Sequence, residues 1–209
     1  MDDRVTPDPD RTDTADPAYT ARLRELEGRG WKQRLDVQRP YRWNLRRLHP
    51  GRTLDVGCGI GRNLAHLDGN GVGIDHNATS VDAARERGFT AYTPDAFVAS
   101  QDAVLGGFDS LLVAHVLEHL DLATQRDLLA TYLPYVREGG RAILITPQEA
   151  GFRTDATHVR FVDPAGCDLA LHEHGWRVVA KQSFPFPRPV GRVFPYNEFV
   201  VVGERDPDA

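Results

Sequence analysis

The spacing of apolar and polar positions changes period repeatedly along this chain, and each change marks an element. Thr53–Val56 is a short apolar run that predicts a strand, and Asn63–Leu67 begins a helical spacing. Val72–Asp75 predicts a second strand, Thr79–Arg87 a helix stopped by Gly88, and Thr90–Thr93 a short third strand. Phe108–Ala114 is apolar almost throughout, as expected of a strand covered on both faces. A helix is predicted over Leu122–Val136, ahead of Gly139-Gly140, with a fifth strand over Arg141–Thr146. Pro164–His174 reads as a helix closed by Gly175, and Arg177–Ser183 and Glu198–Gly203 as the last two strands. Pro185, Pro187, Pro189 and Pro195 argue against regular structure in the join between them. Repeated strand–helix units predict an α/β fold with a parallel sheet and right-handed crossovers.

The chain before residue 50 follows a different pattern. Residues 1–17 hold six aspartates and three prolines with almost no large apolar side chain, so a disordered acidic tail is expected. Residues 18–49 carry Leu23, Leu26, Trp31, Leu35, Trp43, Leu45 and Leu48 among basic residues, a helical pattern in which Pro40 starts a helix. Nine basic residues against three acids make this stretch locally about +6. Either it presents a solvated helix face, or it is a lid that attracts an anionic substrate or a nucleic acid. Residues 50–209 are expected to form the main domain.

Composition narrows the classes further. At 209 residues, 41% hydrophobic and 26% charged, the chain is one domain with additions. A net charge of −5 argues against nucleic-acid binding through the overall field. Of the two cysteines, Cys58 sits within a glycine turn, so no structural disulfide is expected and a reducing compartment fits. No apolar run reaches membrane-spanning length, and Met1-Asp2-Asp3-Arg4 does not start a secretion signal, so a cytoplasmic protein without membrane partners is expected.

The chemistry concentrates where the first strand meets its helix. Leu54-Asp55-Val56-Gly57-Cys58-Gly59-Ile60-Gly61 places glycines at alternate positions, which turns the backbone sharply and leaves space beside it for a ligand. Twenty positions after Asp55, the second strand ends in another acid, Asp75. A glycine turn beside a strand-end carboxylate suits an adenosine-containing cofactor, whose ribose hydroxyls the carboxylate accepts. Asp55 would repel a pyrophosphate but suits an amino-acid ammonium, which favours an amino-acid nucleoside over a dinucleotide.

Asp55-Val56-Gly57-Cys58-Gly59-Ile60-Gly61 resembles motif I of the class I S-adenosylmethionine-dependent methyltransferases. The resemblance covers roughly residues 50–204. It implies a Rossmann-like fold with a mostly parallel seven-stranded sheet, helices on both faces and an antiparallel last strand. It also implies S-adenosyl-L-methionine as cofactor. Asp55 would serve its methionine end, Gly57, Cys58 and Gly59 would let the backbone approach, and Asp75 would hold the ribose. His76 would lie by the adenine, and Asp95 and Ala96 would meet the adenine edge. Helix capping or turn geometry is the alternative role for Asp75 and Asp95.

A second stretch, Phe108 to Leu120, resembles small-molecule methyltransferases of the ubiquinone O-methyltransferase kind, whose fourth strand ends in a Val-Leu-Glu-His turn. Here the turn is Val116-Leu117-Glu118-His119. Thr157-His158-Val159-Arg160-Phe161-Val162-Asp163-Pro164 echoes a further Thr-His…Phe…Pro segment of the same group before the next helix. The resemblance places His115 near the methionine portion and makes His119 and His158 the candidate catalytic bases; backbone-bonded turn histidines are the alternative. Some members of that group hold a divalent ion near the turn. A hard cation prefers oxygen ligands, and His115 stands where those enzymes tend to carry an acid, so no metal site is expected. His172 and His174 are expected to be solvated groups near a helix C-terminus. Phe184, Phe186, Phe194, Tyr196 and Phe199 are expected to pack the core and lid or to shape an apolar acceptor pocket.

The expected function is methyl transfer from S-adenosylmethionine to an O, N or C atom of a small molecule. The alternatives are a methyltransferase acting on RNA or protein, and a non-catalytic module that binds the cofactor. A nucleic-acid partner is not expected.

Overall fold

A computed structural model describes residues 38–205. The expected acidic tail 1–17 and residues 18–37 of the expected lid lie outside the described residues. The first described helix, α1 (Arg39–Arg47), begins with Pro40 in its first turn, as the sequence predicts, since the missing proline N–H costs nothing there.

Seven strands form one sheet: β1 (Thr53–Val56), β2 (Gly71–Ile74), β3 (Ala91–Tyr92), β4 (Phe108–Ala114), β5 (Val136–Pro147), β6 (Trp176–Phe184) and β7 (Glu198–Arg205). Their order is β3-β2-β1-β4-β5-β7-β6. β1 to β5 pair in parallel, while β7 runs antiparallel to both neighbours, so the expected Rossmann-like topology holds. The helices between strands are α2 (Arg62–His66), α3 (Ala78–Glu86), α4 (Pro94–Val98), α5 (Leu122–Tyr132), α6 (Glu149–Phe152) and α7 (Pro164–His172). The chain reverses direction through the sheet between β1 and β4, the position where open α/β sheets form a ligand crevice.

The sheet is covered on two faces. One cluster joins Leu54, Val72, Leu111, Val113 and Leu144 to Phe97, Leu129 and Leu171. A second joins Leu112, Ile143 and Val200 to Leu45 of α1 and Phe184. α1 therefore seals part of the sheet, and Tyr41 and Trp43 pack on Phe184 with ring centroids 5.6 and 6.4 Å away.

The structure differs from several predicted boundaries. The helix predicted over Leu122–Val136 ends at Tyr132, because Pro134 has no N–H to continue it; a 3-10 turn, Leu133–Tyr135, follows. Val136 already belongs to β5, which is longer than the predicted strand because an irregularity against Phe108–Ser110 absorbs Glu138-Gly139-Gly140. Gly139 takes a positive φ of 69° there. Residues 94–98 form a helix that the sequence pattern did not predict, and the proline-rich join holds a 3-10 turn at Arg188–Arg192. α7 stops at His172 rather than His174.

Candidate functional site

The carboxyl ends of β1, β2 and β4 come together around the glycine turn. Gly57, Gly59 and Gly61 adopt φ of 79°, 52° and 82°, a region that side chains other than glycine rarely occupy. At Gly57 a Cβ would also overlap Val116, so the turn nests against the end of β4. The N–H groups of Gly57 and Cys58 donate to the Ile74 carbonyl at 2.8 and 3.0 Å, tying the turn to β2.

Asp75 is buried at the tip of β2. Its Oδ2 accepts from Gly59 N–H and its Oδ1 from Asn77 N–H, both at 2.8 Å. Each carboxylate oxygen keeps lone-pair capacity for a further donor. The helix-capping role left open for Asp75 belongs instead to Asn77, whose Oδ1 accepts from Thr79 N–H and Ser80 N–H. His76 beside it is exposed, with Nδ1 3.7 Å from Asp75 Oδ1.

Asp55 lies beneath the turn with no solvent exposure. Asn63 donates to its Oδ1 at 3.3 Å, while Oδ2 has no hydrogen-bond partner among the described residues. Burial pushes its carboxyl up to about 7, against the lowering effect of Asn63 and Arg62. Asp95 and Ala96 are exposed in the first turn of α4, after Pro94. The cap position of that helix is Thr93, so Asp95 is not its N-cap.

The turn after β4 gathers the candidate catalytic residues. His115 takes φ 58°, an unusual value for a side chain other than glycine, asparagine or aspartate. Its Nε2 lies 2.8 Å from Glu198 Oε1 and its Nδ1 3.3 Å from Glu118 Oε1. Burial opposes a charge on His115, but the Glu198 and Glu118 carboxylates outweigh it and hold the imidazolium up to about 10. Leu117–His119 forms a 3-10 turn that points Glu118 inward, where it is fully buried. The backbone N–H groups of Val159 and Arg160 donate to the Glu118 carbonyl at 2.8 and 3.1 Å, bringing the 157–161 segment against the turn. His119 and His158 thereby meet edge to face, ring centroids 4.7 Å apart. Burial lowers the pKa of His119 and so favours its neutral form at pH 7.

The chain matches the family described as "Methyltransferase domain" over residues 31–181. It belongs to that methyltransferase family. A ribosomal protein L11 methyltransferase from Ralstonia pickettii is 36% identical over 107 residues, which are 49% of this chain and 34% of that protein. The match thus spans about a third of the relative's length. A SAM-dependent methyltransferase from Archaeoglobus fulgidus aligns with TM-score 0.64 and 20% identity, over 90% of this chain and 99% of the other. Magnesium protoporphyrin IX methyltransferase from Synechocystis PCC 6803, solved with bound SAH, aligns with TM-score 0.64 and 15% identity, over 92% and 97%. At these identities the two structures speak for a shared methyltransferase fold.

Within this methyltransferase fold the structure brings Asp55, Gly57, Cys58, Gly59, Asp75 and His76 around one turn, and His115, His119 and His158 around another. Three residues that contact these groups or lie near them escaped the sequence reading. Glu198 is distant in sequence and meets His115 only because β7 inserts beside β5. Asn63 is a helix residue whose amide contacts Asp55. Tyr41 of α1 donates to the Tyr196 carbonyl at 2.6 Å, and burial together with the Glu198 charge raises its pKa. No sequence signal distinguishes Asn63, whereas Tyr41 lies next to Pro40, which marks the start of its helix. His174 departs from expectation: His172 is exposed, but His174 is half-buried with Nε2 lacking a partner among the described residues. Of the aromatic end, Phe184 and Phe199 are buried, while Phe186 and Tyr196 are exposed. No described helix is long and apolar enough to cross a membrane.

Proposed function

We propose that this chain transfers a methyl group from S-adenosyl-L-methionine to a small-molecule acceptor bound beside His115, His119 and His158. The observation that carries the cofactor reading is the Asp75 carboxylate at the tip of β2, stapled to Gly59 N–H at 2.8 Å beside a turn too tight for a Cβ at Gly57. A carboxylate so placed accepts ribose hydroxyls, and the glycines admit the amino-acid end. Asp55 favours an ammonium there, since its unpartnered oxygen lies under the turn. His76, Asp95 and Ala96 line the approach on the adenine side, and His115 lies at the methionine side. Residues 50–209 form the binding domain in this reading, and α1 packs on its sheet as the described part of the expected lid.

The cofactor supplies an electrophilic methyl on a sulfonium. The protein must then hold the acceptor in line and, for a hydroxyl acceptor, receive its proton. His119 suits that role: its neutral form is favoured, and its Nδ1 is held by Thr157. His158 packs against it as a second proton acceptor.

The exposed Phe186 and Tyr196 support an aromatic acceptor; the Arg188 guanidinium is paired with Glu149 and so does not argue for an anionic group on it. One observation favours a second reading, methyl transfer to a protein: the similarity to the ribosomal protein L11 methyltransferase of Ralstonia pickettii. Incubation with methyl-labelled cofactor, a panel of phenolic acids and a ribosomal protein fraction separates the two. Label in the small-molecule fraction is expected; label confined to protein would replace the first reading with the second.

A further inference from the structure

Gln125 of α5 is a polar side chain on an apolar helix face, and every bond its amide makes leaves its own helix. It is 1% exposed and shares its buried face with Leu129 and Tyr132. Its Nε2 donates to the Leu117 carbonyl at 2.7 Å and to the Leu120 carbonyl at 3.1 Å. Its Oε1 accepts from Arg160 Nη1 at 2.8 Å. These neighbours fix which end of the amide is which, because carbonyls only accept and a guanidinium only donates. A buried amide is costly unless hydrogen-bonded, and an aliphatic side chain would fill this position without that cost. Packing α5 on the sheet therefore does not account for Gln125.

The two segments that the amide joins carry the candidate proton acceptors. Leu117 and Leu120 bracket His119 in the turn after β4, and Arg160 lies two residues beyond His158. The backbone attaches the second segment at the Glu118 carbonyl, and the Arg160 side chain attaches it again, to α5. Arg160 is half-buried, and no carboxylate pairs with it among the described residues, so its guanidinium is committed to the amide. Rotation of the turn would draw the Leu117 and Leu120 carbonyls away from Nε2, and movement of the segment would withdraw Arg160 from Oε1. The product of this arrangement is visible at the rings. His119 Nδ1 lies 3.0 Å from Thr157 Oγ1, and the His119 and His158 ring centroids are 4.7 Å apart.

We infer that Gln125 and Arg160 are positioning residues that hold His119 and His158 in one arrangement on the acceptor side. They act through the turn and the 157–161 segment and do not touch the acceptor. The inference rests on the proposed role of the two histidines in methyl transfer. Misplacing a reacting group by about 1 Å costs on the order of 100-fold in rate, so a clasp between the two segments governs turnover more than stability. Only a neutral amide serves both sides. A carboxylate here would still accept from Arg160 but would set an oxygen against the Leu117 and Leu120 carbonyls.

The test follows the titration of His119 by NMR in the full-length protein and in Gln125→Met, Arg160→Met and Arg160→Lys. The charged and titratable groups facing His119 are Glu118 in its own turn and His158 and Asp155 in the other segment, and burial holds its pKa down. Gln125→Met removes both attachments without altering charge, so the His119 pKa should rise by ~0.5 or more toward the ordinary value near 6.5. Arg160→Met should raise it likewise, and Arg160→Lys, which keeps a donor for Oε1, should reverse most of that rise. With a phenolic acid that the wild type methylates, kcat should fall ~10-fold or more in both Met variants. S-adenosylhomocysteine affinity should stay within ~2-fold, because the glycine turn lies at β1 and β2. Circular dichroism checks folding, and the Arg160 variants carry the test if Gln125→Met does not fold. An unchanged His119 titration in the folded Met variants, or a rise that lysine does not reverse, overturns the inference and leaves the amide a purely structural role. If the wild type binds S-adenosylhomocysteine but methylates no phenolic acid, the acceptor reading fails, while the His119 titration still decides whether the clasp exists.

Discussion

His115 Nε2 and Glu198 Oε1, 2.8 Å apart, join the end of β4 to the start of β7 across the intervening β5. The pair holds the β4 turn against the strand whose antiparallel insertion distinguishes this sheet. Both partners are mostly buried, so the bond is charge-assisted and little screened. Replacement of Glu198 by Gln should lower stability by about 1.5–3 kcal/mol, the range for a hydrogen bond to a charged group. Urea unfolding checks this, and an unchanged midpoint would mean that the pair contributes nothing.

Asp55 predicts a specific pH dependence. Its folded-state pKa of about 7 lies above the unfolded value, so the folded protein binds this proton more tightly. The associated stability is fully present below about pH 4 and is lost as pH rises from there through about 7. Asp55→Asn should flatten this part of the stability profile of the ligand-free protein. A cationic ligand favours the ionised carboxyl, so cofactor affinity should run the opposite way and rise with pH up to about 7. Calorimetry across that range would detect either trend, and affinity independent of pH would separate Asp55 from the cofactor.

Phe97 anchors the core beneath α4. It is fully buried, with Tyr92, Phe108, Tyr132 and Tyr135 ring centroids 5.0 to 6.5 Å away. Phe97→Ala should cost about 3–5 kcal/mol through lost contacts and the cavity left behind. Loss below about 1 kcal/mol in denaturant titration would show that the aromatic cluster collapses to fill the space.

Gly57 supports a prediction that separates geometry from charge. Gly57→Ala forces a methyl into Val116 at a φ of 79°, so both the turn and the β4 end must shift. Cofactor affinity should fall by about 10-fold or more, while the core strands remain folded by circular dichroism. Wild-type affinity in this variant would show that the turn tolerates movement.

Much of the fold was legible because the sheet is built from buried parallel strands, whose apolar runs are plain in sequence. Phe108–Ala114 matches its predicted bounds for this reason. The boundaries failed where a single backbone effect outweighed pattern: Pro134 ended a helix whose apolar spacing continues, and Gly139 allowed β5 to start early. On the cofactor side the glycine turn and Asp75 were legible because the motif is local. At the turn after β4, the resemblance picked out His115, Glu118, His119 and His158, but Glu198, which reaches His115 only through the insertion of β7 beside β5, carries no local signal in the sequence.

The central claim is that the crevice beside Asp75 takes a charged amino-acid nucleoside. Isothermal titration of the full-length protein with S-adenosylhomocysteine, S-adenosylmethionine and NADH tests it most directly. Saturable one-to-one binding of the first two, at least ~10-fold weaker in Asp75→Ala, with no NADH uptake, is the predicted result. Saturable NADH binding without uptake of either S-adenosyl compound would contradict it.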